Sequence, residues 1–464
     1  MKTQKGINRI IEDHLLKMII FIQVLVSFII FFIRSIYYNS IMMGQISYFH
    51  AIKTIELTQN LSNLSNYHPY QILLFLLNKL FNNLELISQI IPILLGLATI
   101  ILLFKTLKQV KIDNTLNFVM CVLITLSPIY IYISTVSNHY ILSIFMIILC
   151  FYLLTKFKDS NFSLLPFIII PFLGIFESIF TIILLFTYLI YYKNQKLKQK
   201  ILVLNFILLI LALFIGQVNI DILQNNLFVL KFITSFGAYL GFSVFTLILV
   251  IIGIIFTWKN KKRHIPIYLI ILFLFFNFLY FGQYSNIFLN FFFCYLSAIA
   301  LIGLIKYKWN LDVVRDLTFF LLICGILFTS ISYTSRLSNS LPNQEIKSEI
   351  IKIQDITPSN TIILSDPENG FWIQYFTERK AINNILTKDE NIMNTIFMSR
   401  EYSKSFGILK NYSINFIFIT PLMKQKYWGS DEDGLLFLLP YEGRFNNIYT
   451  NNDYSVWQVL EEEE

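Results

Sequence analysis

The sequence predicts a multi-pass α-helical membrane protein of about eleven spans, followed by a C-terminal extracytoplasmic α/β domain. Three observations predict it. The 464-residue chain is 56% hydrophobic and 14% charged, where soluble domains carry about a quarter charged residues. Apolar runs of roughly 17 or more residues recur, long enough to cross a hydrocarbon core at 1.5 Å rise per residue. The charge is also divided. Residues 335–464 hold 12 Lys/Arg and 18 Asp/Glu, whereas residues 1–334 hold 24 and 10. The net charge of +8 therefore belongs to the membrane part. It argues for positive loops on one membrane face and against a nucleic-acid partner.

The spans are expected at 16–33, 85–104, 115–134, 139–155, 163–176, 178–192, 201–217, 240–257, 265–281, 287–305 and 316–334. Segments 69–82 and 227–238 are apolar but short or interrupted, and read as interfacial or re-entrant pieces. No small-residue cleavage site follows the first apolar run, so it reads as a retained span rather than a cleaved signal peptide. One face collects 19 Lys/Arg, and the other has Arg34, Lys53, Lys79 and Lys231. This places the protein in the plasma membrane with a cytoplasmic N-terminus and, for an odd span number, an extracytoplasmic C-terminal domain. The stretch 163–192 lies between two basic loops, so it must cross twice or not at all. Pro166, Pro171 and Gly174 fit a hairpin of two short helices turning near Phe176–Ser178. The domains are then 1–334, with a long first outer loop at 34–84, and 335–464. Cys121, Cys150, Cys294 and Cys324 all fall in apolar runs and read as buried apolar residues.

The outer face gathers the chemistry. Of the ten acids before residue 335, Glu56, Glu85, Glu177 and Asp221 map there, with His50, His68 and His139. Acids and imidazoles at one mouth of a helix bundle are what acid/base chemistry or a divalent metal site needs. Each has a plainer reading. Glu56 and Glu85 could be solvated acids, Asp221 and Glu177 capping residues, His68 a turn residue and His139 an interfacial one. Arg34, Lys53 and Lys231 are cations for a departing phosphate or anchors to lipid headgroups. Between Met42 and Thr58, Ile46, Phe49, Ile52 and Ile55 recur at helical spacing, which predicts a short amphipathic helix lying flat on the surface. On it, His50 and Glu56 stand about 120° apart. Asn60, Asn63 and Asn411 head N-glycosylation patterns. Polar residues within the spans are scattered (Gln23, Asn205, Ser243, Asn277) without a two-fold repeat, which disfavours a transporter.

Beyond Thr334 the composition turns ordinary. TIILSD (361–366) and INFIFIT (414–420) read as buried strands, and LLFLLP and NIYTNNDYSVWQVL as terminal strands with a hairpin turn at Asn451–Asp453. Helical patterns fit 344–355, 388–397 and 399–410, which together predict a small α/β domain. No GxGxxG, P-loop, GxSxG or HExxH occurs.

Several stretches together resemble the GT-C superfamily of multi-pass glycosyltransferases, including the protein mannosyltransferases and arabinose-lipid A transferases. MMGQISYFHAI (42–52) is similar to a G-[E/D]-x-x-Y-x-H run of archaeal-type members. YHPYQILLFLLNKLF (67–81), LSPIYIYISTVSNHYILSIFMIILCFYLL (126–154), SDPENGFWIQYFTERKAI (365–382) and INFIFITPLMKQKYW (414–428) add to the likeness. It implies transfer of a sugar from a polyprenyl-phosphate (dolichyl-type) donor to a glycan, lipid or protein acceptor. It also implies a catalytic acid in the first outer loop at or near Gln45, beside Tyr48 and His50. The chain has an amide there, which cannot take a proton at neutral pH. The acid would then come from Glu56 or Glu177, or the chain is a catalytically silent relative that binds lipid-linked glycan or supports another membrane enzyme.

Overall fold

The computed structural model describes residues 2–460, except 39–41, 60–63, 65, 158–162, 192–194, 216–231, 235–237, 239, 282–283, 388–394, 431–432, 442 and 452. The chain divides into two compact units, Met1–Ser40 with Ser62–Asn339, and Ile41–Leu61 with Ser340–Glu464.

The first unit is helical. Its elements are α1 (Lys2–Tyr38), α3 (Pro69–Phe81), α4 (Leu84–Gln109), α5 (Asn114–Leu126), α6 (Pro128–Thr135) and α7 (Tyr140–Lys156). A 3-10 segment, Leu165–Phe172, follows, then α8 (Ile175–Tyr191) and α9 (Gln195–Ile215). The unit ends with α10 (Val244–Trp258), α11 (Lys261–Phe281), α12 (Tyr284–Lys306) and α13 (Asp312–Ser338). Among the described residues, Glu12–Tyr38, α4, α12 and α13 are long and apolar enough to cross a membrane. The pair α5 and α6, bent by 66°, makes a fifth if taken as one span.

The bend at Ser127 follows from Pro128, which has no N–H to donate. A break inside hydrocarbon must satisfy its freed backbone groups from neighbouring helices, and this one does. The Ser127 hydroxyl caps the Tyr130 N–H at 3.3 Å and accepts from Asn290 Nδ2 at 2.8 Å. The Ser330 hydroxyl donates to the Leu126 carbonyl. In α1, Gln23 Nε2 donates to Ser134 Oγ at 3.1 Å, tying α1 to α6. The polar residues scattered through the spans include groups of this kind.

The expected short helix at 163–176 is instead the 3-10 segment Leu165–Phe172. Pro166 at its start and Pro171 inside it remove the donors an α-helix needs. Its 8 residues rise about 16 Å at ~2 Å each, well short of a ~30 Å core. The turn also falls earlier than expected, at Gly174 (φ +154°), and Phe176–Ser178 lie in the first turn of α8. Glycine suits 174 because φ +154° is a backbone conformation that L side chains rarely adopt, and a Cβ there would also displace the Glu177 carboxylate.

The second unit combines α2 (Gly44–Gln59) with α14 (Gln344–Ile356), β1 (Ile362–Leu364), α15 (Gly370–Thr377), β2 (Lys380–Ala381), α16 (Tyr402–Asn411), β3 (Phe416–Ile419), α17 (Pro421–Tyr427), α18 (Gly434–Tyr441), β4 (Phe445–Asn451) and β5 (Tyr454–Val459). The strands form one sheet in the order β2-β1-β3-β5-β4. β1 is parallel to β2 and β3, and β5 is antiparallel to β3 and β4. Leu364, Phe397, Ile417, Met423, Trp428, Leu435 and Leu439 lie in its core.

Two expectations are corrected in this unit. LLFLLP is helical, within α18, and not a strand. An apolar run this short has no decisive period, and Leu435, Leu438 and Leu439 bury one helical face. The helix 42–58 exists as α2, but the stripe Ile46, Phe49, Ile52, Ile55 is not its buried face: Ile55 is exposed and the others half-buried. Ser47, Tyr48, His50, Ala51, Thr54 and Leu57 are buried instead. α2 packs on α15, with the Tyr48 ring 5.1 Å from Tyr375 and 5.4 Å from Phe376, and Phe49 5.3 Å from Phe371.

Candidate functional site

In the helical unit the structure draws four polar side chains into one cluster. His68 precedes Pro69 and caps α3. Its Nδ1 accepts the Tyr70 N–H at 3.1 Å, and its backbone N–H donates to Gln71 Oε1 at 3.0 Å, closing a capping box. With Nδ1 accepting, Nε2 carries the proton and donates to the Leu173 carbonyl at 3.0 Å. The ring keeps a partly exposed edge but is densely surrounded, and burial lowers its pKa from 6.5 to about 4. His68 is therefore a neutral structural histidine whose two nitrogens are both engaged.

The His139 ring lies 4.7 Å from that of His68 and 3.9 Å from that of Tyr140. One turn into α7, Ser143 Oγ donates to the His139 carbonyl at 3.4 Å and is a polar neighbour of the Glu177 side chain. Glu177 is 7% exposed, and its carboxylate lies over Gly174, the residue after the Leu173 that receives His68. Among the described residues Glu177 forms no ion pair. Beside His68 and His139 in sequence, Tyr70 and Ser137 are joined through their hydroxyls at 2.8 Å. Sequence reasoning missed Tyr70, Ser137 and Ser143, because serine and tyrosine near a helix start carry no distinctive pattern.

Arg34 is 1% exposed, donates to the Ser338 carbonyl at 3.2 Å and lies 4.5 Å over the Tyr38 ring. It supports the C-terminal end of α13, where a cation is favoured. Asp221 and Lys231 lie outside the described residues.

The other candidates sit on α2 in the second unit. Gln45 Oε1 is buried without a hydrogen-bond partner. Tyr48 and His50 are each 1% exposed; the Tyr48 ring belongs to the aromatic packing on α15. Lys53 and Glu56 pair with each other at 2.6 Å while partly exposed, so Glu56 is a surface acid with its own lysine. Among the described residues no three His, Cys, Asp or Glu side chains converge to hold a metal ion. Both His68 nitrogens are occupied by hydrogen bonds, so His68 offers no free lone pair to a metal.

A further constellation stands at the carboxyl ends of the parallel strands β1 and β3. Asp366, 4% exposed, accepts from Lys426 Nζ at 2.8 Å and the Tyr427 hydroxyl at 2.6 Å through Oδ2. Its Oδ1 accepts the Glu368 N–H at 2.8 Å. The Lys426 pKa rises because its hydrogen bond and Coulomb attraction to Asp366 outweigh desolvation, whereas burial foremost raises that of Tyr427. The sequence signal was present in TIILSD, a buried strand ending in an acid, but its partners lie 60 residues on.

No protein-family model matches the chain, and no curated protein matches it in sequence. Solved structures do match. The apo crystal structure of the Archaeoglobus fulgidus oligosaccharyltransferase is similar at TM-score 0.68 and 12% identity, over 97% of this chain and 75% of that one. This chain has the fold of the archaeal oligosaccharyltransferase AglB. A. fulgidus AglB in complex with an inhibitory peptide and a dolichol-phosphate matches at TM-score 0.63 and 12% identity, over 98% and 75% of the two chains. The A. fulgidus enzyme tethered through a disulfide to an acceptor peptide with the NVT sequon matches at 0.59 and 12%, over 97% and 74%. The likeness read from MMGQISYFHAI and its companion stretches thus holds for the fold. AglB assigns no residue here at 12% identity; the roles of Gln45, Glu56 and Glu177 rest on their own surroundings.

Proposed function

We propose that the chain is a membrane glycosyltransferase that transfers a sugar from a polyprenyl-phosphate carrier of dolichyl type to an acceptor on the extracytoplasmic face. The observation that carries this reading is the AglB fold over 97% of the chain. The AglB complexes with a dolichol-phosphate and with peptides support a lipid-linked donor and a glycan, lipid or protein acceptor. The proposed topology has about eleven spans in the plasma membrane, a cytoplasmic N-terminus and residues 335–464 outside, supported by the charge division of the sequence.

Transfer breaks the bond from the sugar's anomeric carbon to the carrier phosphate and forms one from that carbon to the acceptor nucleophile. The nucleophile's proton goes to a base, and Glu177 is the acid best placed for it, buried and without an ion partner in its cluster. Glu56 is disfavoured by its pairing with Lys53. Of the proposed phosphate cations, Arg34 is committed to Ser338 and Tyr38.

The test is release of polyprenyl phosphate by the purified full-length protein over a panel of lipid-linked sugars. Turnover is expected, and Glu177→Gln should lower it about 10²–10⁴-fold with lipid binding retained. Full activity in Glu177→Gln would remove Glu177 from the mechanism. Absence of turnover across the panel, with lipid still bound, would favour the second reading, a catalytically silent relative. That reading has its own support in the unpartnered amide oxygen of Gln45. Gln45→Glu discriminates: activity gained from a silent protein marks a lost base.

A further inference from the structure

The stretch Asn411-Tyr412-Ser413 has no part in the proposed reaction. Asparagine, any residue but proline, then serine or threonine is the acceptor pattern of N-glycosylation. So short a pattern gains meaning only from its setting in the fold.

Asn411 is the last residue of α16, and Tyr412 and Ser413 lead from it toward β3. The helix turns Ser405, Phe406 and Leu409 inward. Gly407 and Asn411, one turn apart, lie on the exposed face. A Cβ at Gly407 would meet no neighbouring atom within 4 Å, so the surface beside Asn411 is open. All three residues of the pattern are exposed. Among the described residues, neither the Asn411 carboxamide nor the Ser413 hydroxyl makes a hydrogen bond.

Ser413 is the informative residue. The helix ends in a Schellman motif: the Ser413 N–H donates to the Lys410 carbonyl at 3.0 Å, and the Ile414 N–H to the Leu409 carbonyl at 2.9 Å. Leu409 and Ile414 both enter the core of the unit. The left-handed position of such a cap usually belongs to glycine, yet here it is Ser413, at φ +52°. A side chain is disfavoured in that region, and a hydroxyl that bonds nothing in the fold offsets none of the cost. Glycine would serve the turn better. A hydroxyl at this position is what the acceptor pattern requires.

We propose that Asn411 is a glycan attachment site, modified on Nδ2 from a lipid-linked glycan by an N-glycosylating transferase at the extracytoplasmic face. The bond from the glycan's anomeric carbon to the carrier phosphate breaks, and one from that carbon to Nδ2 forms. Nδ2 gives up one proton, and the carrier phosphate leaves with the electron pair. A bulky, solvated glycan fits an open surface, and the exposed end of α16 supplies one without disturbing the sheet. Asn60 and Asn63 lie outside the described residues and form no part of this site. The site rests on the proposed extracytoplasmic placement of residues 335–464.

The test expresses the full-length chain in a eukaryotic secretory host. Its peptides are mapped by mass spectrometry after PNGase F release in heavy-oxygen water, against a control without the enzyme; release converts a glycosylated asparagine to labelled aspartate. Label is expected at Asn411. Asn411→Gln and Ser413→Gly should each abolish it. Glycine suits the left-handed backbone, so loss of label in Ser413→Gly is not a folding defect, and label persisting there would overturn the role of the hydroxyl. Ile448→Thr completes a second acceptor pattern behind exposed Asn446 and Asn447 on β4 of the same unit, and so reports the compartment independently. Label at Asn446 in that variant with none at Asn411 would overturn the site and leave the topology standing. Label at neither would overturn both.

Discussion

Two side chains, His68 and Gln45, show how residue identity and residue role come apart. His68 was a candidate ligand because an imidazole near an acid is a common catalytic pattern. Its two nitrogens are instead divided between the α3 cap and the Leu173 carbonyl, a bond pattern that only the neutral ring can make. This has a pH consequence. The folded pKa of about 4 lies below the unfolded 6.5, so the contribution of His68 is complete above about 6.5 and fades as pH falls toward 4. The melting temperature of the intact protein should drop across that window. His68→Asn keeps a cap acceptor but cannot titrate, so its drop should be shallower; an unchanged slope would place the titration elsewhere. Gln45 is the converse case. Its identity argues against catalysis, and its buried amide oxygen has no hydrogen-bond partner.

At the scale of elements, the sheet is held to its helices by a charge. Asp366 ends β1, and Lys426 and Tyr427 close α17, so their hydrogen bonds tie the two parallel strand ends together. Asp366→Asn should cost about 2 kcal/mol, the scale of hydrogen bonds to a charged group, read as a lower melting temperature of the full chain. Lys426→Met should cost more than Lys424→Met, whose lysine makes only a longer, exposed pair with Asp453 at 3.3 Å. Equal effects would mean that the burial of Asp366 adds nothing. Long elements were readable from the sequence: α4, α12, α13, α14 and the β4–β5 hairpin fall where their periodicity and turn residues place them. Of the short ones, β1, β3 and α16 were also readable, but others were not. LLFLLP fits a buried strand and a buried helix equally, and α15 was hidden behind Asp366-Pro367-Glu368-Asn369-Gly370, which reads as a turn.

For the whole molecule, the division of charge sets the expected topology. A cysteine introduced at exposed Ser348 of a protein with its native cysteines replaced should react with a membrane-impermeant thiol reagent in intact cells, and one at exposed Lys262 only after lysis. The reverse pattern would invert the orientation. Hydropathy and charge are sums over neighbouring residues, so the sequence by itself determined a helical membrane part, a polar C-terminal part and the asymmetry between them. Tertiary structure decided what depends on distant partners. It placed α2, from the stretch after α1, in one unit with residues 340–464, because Tyr48 and Phe49 find their aromatic partners some 320 residues away. It also gave Asp366 its lysine and gathered His68, His139, Ser143 and Glu177 from three separate helices and loops. Those pairings arise from packing and desolvation in three dimensions, which no local pattern along the chain encodes.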